Sequence, residues 1–456
     1  MASNDRLLLS AITMNNASHF AHGLWRRPDA ARQRDFERLP EWLDLVKTLE
    51  RGRFDMLFLA DVLGAYDVYE GGWETTVREG TQFPTNDPLV LLAALSGGSE
   101  HLGLALTSSV FYQHPFPFAR QISTLDHLSG GRVAWNVVTS VIENGVRNVG
   151  LDQLPAHDDR YRWADEYVEV VYKLWERSWE DGALRKDVAA GVFTDPARVH
   201  EIAHRGERYR VGGPHLSAPS PQRTPVMLQA GSSDAGREFA AAHAEVVLIV
   251  ATTPGSAGKL AADIRRRAVA AGRRAEDVKF LVAMTFVVAP TERQAKDLDA
   301  DLAAWLSDDG IYAQISGHLQ LDLSTIDLDR PLDEFETEGM QGILRDMRER
   351  VPPERRAETT YRDVIDGFAR RRFVGSPERV ADEIERWAAA GMDGVNVLEM
   401  IRPDSYEDFV DLVVPVLQER GLSQRDYRPG TLREKIFGAG PRLPATHPAV
   451  AARPDG

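Results

Sequence analysis

Short apolar runs alternate along the chain with longer stretches in which apolar positions recur every three or four residues. The short runs are LLLSAITM (7–14), MLFLAD (56–61), LGLALTSS (102–109), VAWNVVTS (133–140), PVMLQAG (225–231), VVLIVA (246–251), KFLVAMTFVVA (279–289) and GVNVLEM (394–400). Runs that are apolar at nearly every position predict strands buried on both faces. Between them, stretches such as LPEWLDLVKTLERG, SDAGREFAAAHA and SPERVADEIERWAAAG predict amphipathic helices, several opened by Ser or Asp and closed by Gly. Strand and helix alternate through all eight runs, and right-handed crossovers close such a series into an α/β (β/α)8 TIM barrel. An open doubly wound sheet is the alternative.

Two connections exceed what a barrel needs. The pattern predicts a single barrel domain over residues 1–438, with insertions near 141–224 and 290–393 that cover the C-terminal mouth. The second insertion carries the acidic stretch LDLSTIDLDRPLDEFETEG. Residues 439–456, rich in Pro, Ala and Gly, read as a flexible tail. Because the carboxyl ends of barrel strands face the reaction, the barrel explains why VAWNVVTS finishes in Asn136, Thr139 and Ser140. Asp61, Thr107 and Glu399 occupy corresponding strand ends. Turns and caps also begin at strand ends, so polarity there does not by itself define a site.

Charge and composition remove several classes of function. Lys plus Arg number 54 against 69 Asp plus Glu, a net charge of −15 that repels phosphate backbones and argues against a nucleic-acid partner. No run approaches the ~18 apolar residues of a membrane span, and the amino terminus lacks the signal-peptide pattern, so a cytoplasmic protein without a membrane partner is expected. The absence of cysteine excludes thiolate metal sites, Fe–S clusters and cysteine nucleophiles.

Candidate chemistry begins with QAGSSDAGREFAAAHA (229–244), where a strand ends, Ser232 and Ser233 follow, and a helix starts. Backbone N–H groups and hydroxyls converging there suit a phosphate, although Ser and Asp cap ordinary helices equally well. His157 and Tyr161, four residues apart, share one side of a helix, either as ligand groups or as packing beside a cap formed by Asp158 or Asp159. His19 and His22 follow the first strand, and His318 lies in the second insertion, where a surface position is the default. A metal-dependent hydrolase using His19, His22 and Asp61 is conceivable, but the first strand lacks a His-x-His pair. No GxGxxG follows a strand as in a dinucleotide fold, so the chain alone is not expected to oxidise NADH or NADPH.

Several segments together carry a specific resemblance: HGLWR (22–26), TLERGRFDMLFLAD (48–61), TLDHLSGGRVAWNVVTS (124–140), HDDRYRWADEY (157–167), AAGVFTDPARVH (189–200), PVMLQAGSS (225–233) and DFVDLVVPVLQERG (408–421). On these the chain resembles the bacterial-luciferase-like flavin-dependent monooxygenases, in the branch of nitrilotriacetate monooxygenase, dibenzothiophene sulfone monooxygenase and pristinamycin synthase. The resemblance implies a two-component monooxygenase that receives reduced FMN from a separate NAD(P)H:flavin reductase and oxidises a small molecule with O2 through a flavin peroxide. It places Asp61, Thr107, Asn136, His157, Tyr161, Ser232 and Ser233 around FMN, the last four nearest its phosphate. It also implies His22 and His318 as pocket histidines, with His22 the preferred proton shuttle. A homodimer or homotetramer is expected. Leu248 stands where the sulfone-oxidising members are expected to carry an aromatic wall, which favours a different, uncharged and heteroaromatic substrate. Cleavage of riboflavin is one concrete alternative, and a non-catalytic flavin-binding protein is another.

Overall fold

The computed structural model describes residues 6–140, 142–332 and 351–452. Eight parallel strands form the centre: β1 (Leu8–Met14), β2 (Met56–Ala60), β3 (Gly103–Ser109), β4 (Val133–Val138), β5 (Val226–Gln229), β6 (Val246–Ile249), β7 (Lys279–Val288) and β8 (Gly394–Leu398). They pair in chain order, and β8 sits between β7 and β1, so the sheet closes into the expected (β/α)8 barrel. All eight coincide with the apolar runs of the sequence, because both faces of each strand are buried. One face, including Leu8, Ile12, Phe58, Ala105, Leu228, Leu248 and Leu281, fills the barrel. The other, including Leu9, Leu57, Leu104, Trp135, Val247 and Val282, packs on the surrounding helices.

The floor of the barrel is closed from outside. The helix Leu432–Phe437, started by a Thr431/Glu434 capping box, directs Leu432 and Ile436 into the barrel core. Its Arg433 is buried against Glu245 at 2.7 Å and also donates to the carbonyls of Thr224, Pro225 and Pro441. The segment after Gly438 does not match the flexible tail expected from its composition. Arg442 pairs with Asp181, and Leu443, His447 and Ala449 are buried against the barrel. Pro and Gly content describes backbone propensity, whereas these few side chains find partners far away in sequence.

The first insertion also holds a helix of the barrel itself, His157–Tyr172, whose buried Ala164, Tyr167, Val168 and Val171 pack inward. Two short hairpins, Leu184–Asp187 with Val192–Thr194 and His204–Arg205 with Arg210–Val211, extend it. The second insertion builds a small core of its own around Ile311, Tyr312, Leu323, Tyr361 and Ile365. Its helix Asp308–Leu319 covers the loop after β1, and its strand Phe373–Gly375 prolongs the sheet beside the far end of β7. The acidic stretch is described only as far as Leu332. Among the described residues no helix is long and apolar enough to cross a membrane.

Candidate active site

The end of β5 and the start of the helix Asp234–His243 form a tight cradle. Ser233 caps that helix, its Oγ accepting from the Gly236 N–H at 3.1 Å, while Ser232 stands exposed at the rim. Tyr161 reaches in from the helix His157–Tyr172, and its hydroxyl lies within hydrogen-bonding reach of Ser233, Thr139 and Gln229. Burial raises its pKa, opposed by these contacts. A Cβ at Gly231 would lie 2.6 Å from the Tyr161 oxygen, and one at Gly236 2.7 Å from it, so both glycines are needed for this approach. Arg160 is half-buried beside the cradle and donates to the Ser140 carbonyl at 2.5 Å, holding that residue at φ 58, in the left-handed region. His157 is exposed, 3.0 Å from Asp158 and stacked at an angle near Tyr161. Asp158 and Asp159 lie in the first turn, after the uncapped Ala156, so neither is the cap that the sequence allowed.

A cavity of about 270 Å³ runs from this cradle to the ends of β2 and β4, lined by Tyr161, Gly231, Gln229, Thr139, Ser140 and Asp61. Burial, reinforced by the charge of Asp87, pushes the Asp61 carboxyl up to about 8 against the stabilising Val62 N–H. Thr107 and Asn136 are paired neighbours on β3 and β4, buried within the barrel; the Asn136 amide donates to the Thr107 hydroxyl at 3.1 Å. The Asn136 carbonyl oxygen, Gln229 Oε1 and Arg160 Nε have no protein partner among the described residues.

A second cavity, about 360 Å³, shares Ala230 with the first and occupies the barrel mouth between Ile12, Phe58, Leu248, Val250 and Trp387. The arginines on its wall are already engaged: Arg372 with Asp299, Arg386 with Glu383, and Arg371 with the Ala251 carbonyl. Its walls are therefore predominantly apolar in chemistry, with Leu248 where the sequence placed a pocket wall.

The histidines separate. His22 is fully buried and lines neither cavity: Nδ1 meets Ser18 Oγ at 2.9 Å and Nε2 meets Gln314 Oε1 at 2.8 Å. Loss of hydration pushes it down to about 4, against the Gln314 contact that favours its charged form. The histidine that the resemblance implies as the preferred proton shuttle is thus a packed side chain, because Gln314 from the second insertion closes over it. His318 is an exposed residue crowded by protein; like His22 it lines neither cavity, and burial likewise lowers it to about 4. Its Nε2 lies 3.1 Å from Tyr66 Oη. Tyr66 donates to Gln82 Oε1 at 2.8 Å, and the Gln82 amide donates to the His19 carbonyl at 2.7 Å. With the phenolic proton committed, Nε2–H of His318 donates to Tyr66 and Nδ1 carries the lone pair. His19, His22 and Asp61 do not assemble: among the described residues no three His, Asp or Glu groups form a metal-holding cluster.

Tyr66, Gln82, Gln229 and Gln314 escaped the sequence reading. Gln229 had a signal, as the polar terminus of VMLQ; Tyr66 and Gln82 lie in connections with no period to read, and Gln314 lies in the helix Asp308–Leu319, which is buried on nearly every side.

A closed parallel barrel with a polar cradle at the ends of its strands, opening into an apolar mouth, is the architecture of a barrel enzyme with its site at the C-terminal face. The family model described as luciferase-like monooxygenase matches residues 18–394, and the chain belongs to that family. Dimethyl-sulfide monooxygenase of Hyphomicrobium sulfonivorans is 42% identical over 98% of this chain and 94% of its own. The crystal structure of DmoA from Hyphomicrobium sulfonivorans, 41% identical, superposes with a TM-score of 0.91, covering 98% of this chain and 96% of that one. Long-chain alkane monooxygenase of Geobacillus thermodenitrificans is 43% identical over 98% of both chains. A riboflavin lyase solved with modified FMN and substrate riboflavin is 35% identical, with a TM-score of 0.89 over 99% of this chain and 100% of that one. The expected branch is represented by nitrilotriacetate monooxygenase component A of Aminobacter aminovorans, 35% identical over 98% and 100%.

Proposed function

We propose that this chain is the oxygenase component of a two-component system, taking reduced FMN from a separate NAD(P)H-dependent flavin reductase and using O2 to oxidise a small, uncharged, heteroaromatic substrate. The observation that carries this reading is the pair of adjoining cavities, one leading to a polar cradle and one apolar. The partnerless Asn136, Gln229 and Arg160 atoms and the glycine-lined approach fit an elongated phosphate ester with a polar ring edge.

When bound, reduced flavin supplies the electron pair that activates O2. Tyr161, Ser232, Ser233 and the helix start hold the phosphate, with Arg160 adding charge and His157 at the rim. Asp61, Thr107 and Asn136 orient the ring edge, Asp61 donating while it stays protonated. Apolar walls and the covering insertion exclude water, which limits loss of the oxidant as H2O2. His318, neutral with a bare Nδ1, accepts and returns a proton, while His22 holds the loop behind it. Engagement of the wall arginines favours an uncharged substrate over a polycarboxylate. The likeness to the riboflavin lyase supports flavin-ring cleavage as a second reading.

The test supplies chemically reduced FMN, O2 and a panel of uncharged heteroaromatics, with mass spectrometry of products. Oxygen incorporation from 18O2 is expected without NAD(P)H. Rapid, stoichiometric NAD(P)H oxidation by the chain free of any reductase overturns the two-component reading.

A further inference from the structure

Asn396 stands in the middle of β8 between Val395 and Val397, whose side chains pack outward, so alternation turns the carboxamide into the barrel. It is 1% exposed and lines the mouth cavity with Ile12, Phe58, Leu248 and Leu398. Its neighbours in register are Ser10 on β1 and Ala283 on β7, both small, which leaves room around it. Among the described residues neither its Nδ2 nor its Oδ1 has a protein partner. The buried Ser10 hydroxyl has none either, and by turning it could satisfy only one end of the amide. A buried carboxamide left unpaired at both ends destabilises the fold, and an aliphatic side chain would suit the surrounding walls better.

We propose that Asn396 is a recognition residue on the floor of the mouth cavity, taking a ring that presents a hydrogen-bond donor beside an acceptor, as a lactam, imide or pyrimidinedione edge does. The carboxamide offers the complementary acceptor and donor in one plane, and the apolar walls accept the remainder of the ring. This rests on the mouth being the site of flavin and substrate. The same edge chemistry belongs to flavin itself and to heteroaromatic substrates, and the experiment separates the two.

Affinities are measured by calorimetry for two probe pairs: FMN against N3-methyl-FMN, and 1-methylquinazoline-2,4-dione against its 1,3-dimethyl derivative, the latter pair with and without saturating FMN. Wild type is expected to prefer the unmethylated member of one pair by about tenfold or more, since a buried polar group rejects an analogue that leaves it unpaired. Preference in the FMN pair assigns Asn396 to the cofactor; preference in the quinazolinedione pair on FMN-loaded protein assigns it to the substrate. Asn396→Leu should abolish that preference, leave the methylated probe's affinity within about threefold and raise the Tm of the free protein. Wild-type affinities equal within about threefold in both pairs overturn the proposal, whether or not the variant folds. Failure of reduced FMN to bind under anaerobic conditions overturns the oxygenase reading, while the quinazolinedione pair without FMN still decides the role of Asn396.

Discussion

His22 and His318 have comparably low proton affinity, yet their hydrogen bonds differ. His22 has both nitrogens committed to Ser18 and Gln314, so His22→Ala strands two buried polar groups, at a cost of about 1–3 kcal/mol each. A lowered Tm with an unchanged ratio of product to H2O2 in the folded fraction is expected. His318→Ala should do the reverse: Tm near wild type, product formation down ~10²-fold, and continued O2 consumption released as H2O2. Loss of product in the His22 variant, with His318→Ala unaffected, would restore His22 as the shuttle. Asp61 has a pH signature. Its folded pKa of about 8 lies above the ordinary carboxyl value, so the stability it permits is fully present below pH ~4 and is lost as pH rises toward 8. Asp61→Asn should therefore raise Tm over wild type at pH 8 and leave it nearly unchanged at pH 4. Equal gains at both values would show that the carboxyl is not held protonated.

The start of the helix Asp234–His243 combines two duties in one residue. Ser233 caps the helix and faces the Tyr161 hydroxyl, so its replacement must preserve the first to expose the second. Asp caps as well as Ser does, and Ser233→Asp keeps the helix while setting negative charge against the expected phosphate. Tm should hold, and reduced-FMN affinity should fall about 30-fold, equivalent to ~2 kcal/mol. Unchanged affinity in the folded variant would move the phosphate elsewhere. This cap was legible in the sequence because Ser–Ser–Asp before an apolar period has one common local outcome. Tyr161 was legible as a helix neighbour of His157, but its contact with Ser233 depends on the separation of two helices, which no local pattern encodes.

Across the molecule, the barrel is secured by parts distant in sequence. The tail lends Arg433 the Pro441 carbonyl, pairs Arg442 with Asp181 and buries Leu443. Truncation after Gly438 should lower the urea midpoint by the equivalent of about 2 kcal/mol or more, the scale of one fully buried aliphatic side chain plus a lost charged contact. A flexible tail would leave the midpoint unmoved. The second insertion ties its own core to the loop after β1 through Gln314, so its position and the state of His22 are linked.

By itself the sequence determined the strands, their order and the residues at their carboxyl ends, because side-chain period and burial on two faces are local consequences of composition along a strand. Asp61, Thr107 and Asn136 could be placed at strand ends from position alone for that reason, while a role for them toward FMN came only from the resemblance. Only the tertiary structure decided which histidine keeps a free nitrogen, that Tyr66 and Gln82 fix its tautomer, that the wall arginines are engaged, and that Asn396 is left without a partner. Those outcomes depend on hydrogen bonds between residues tens to hundreds of positions apart. Their partners are set by how the insertions and loops settle over a barrel that the local pattern had already specified.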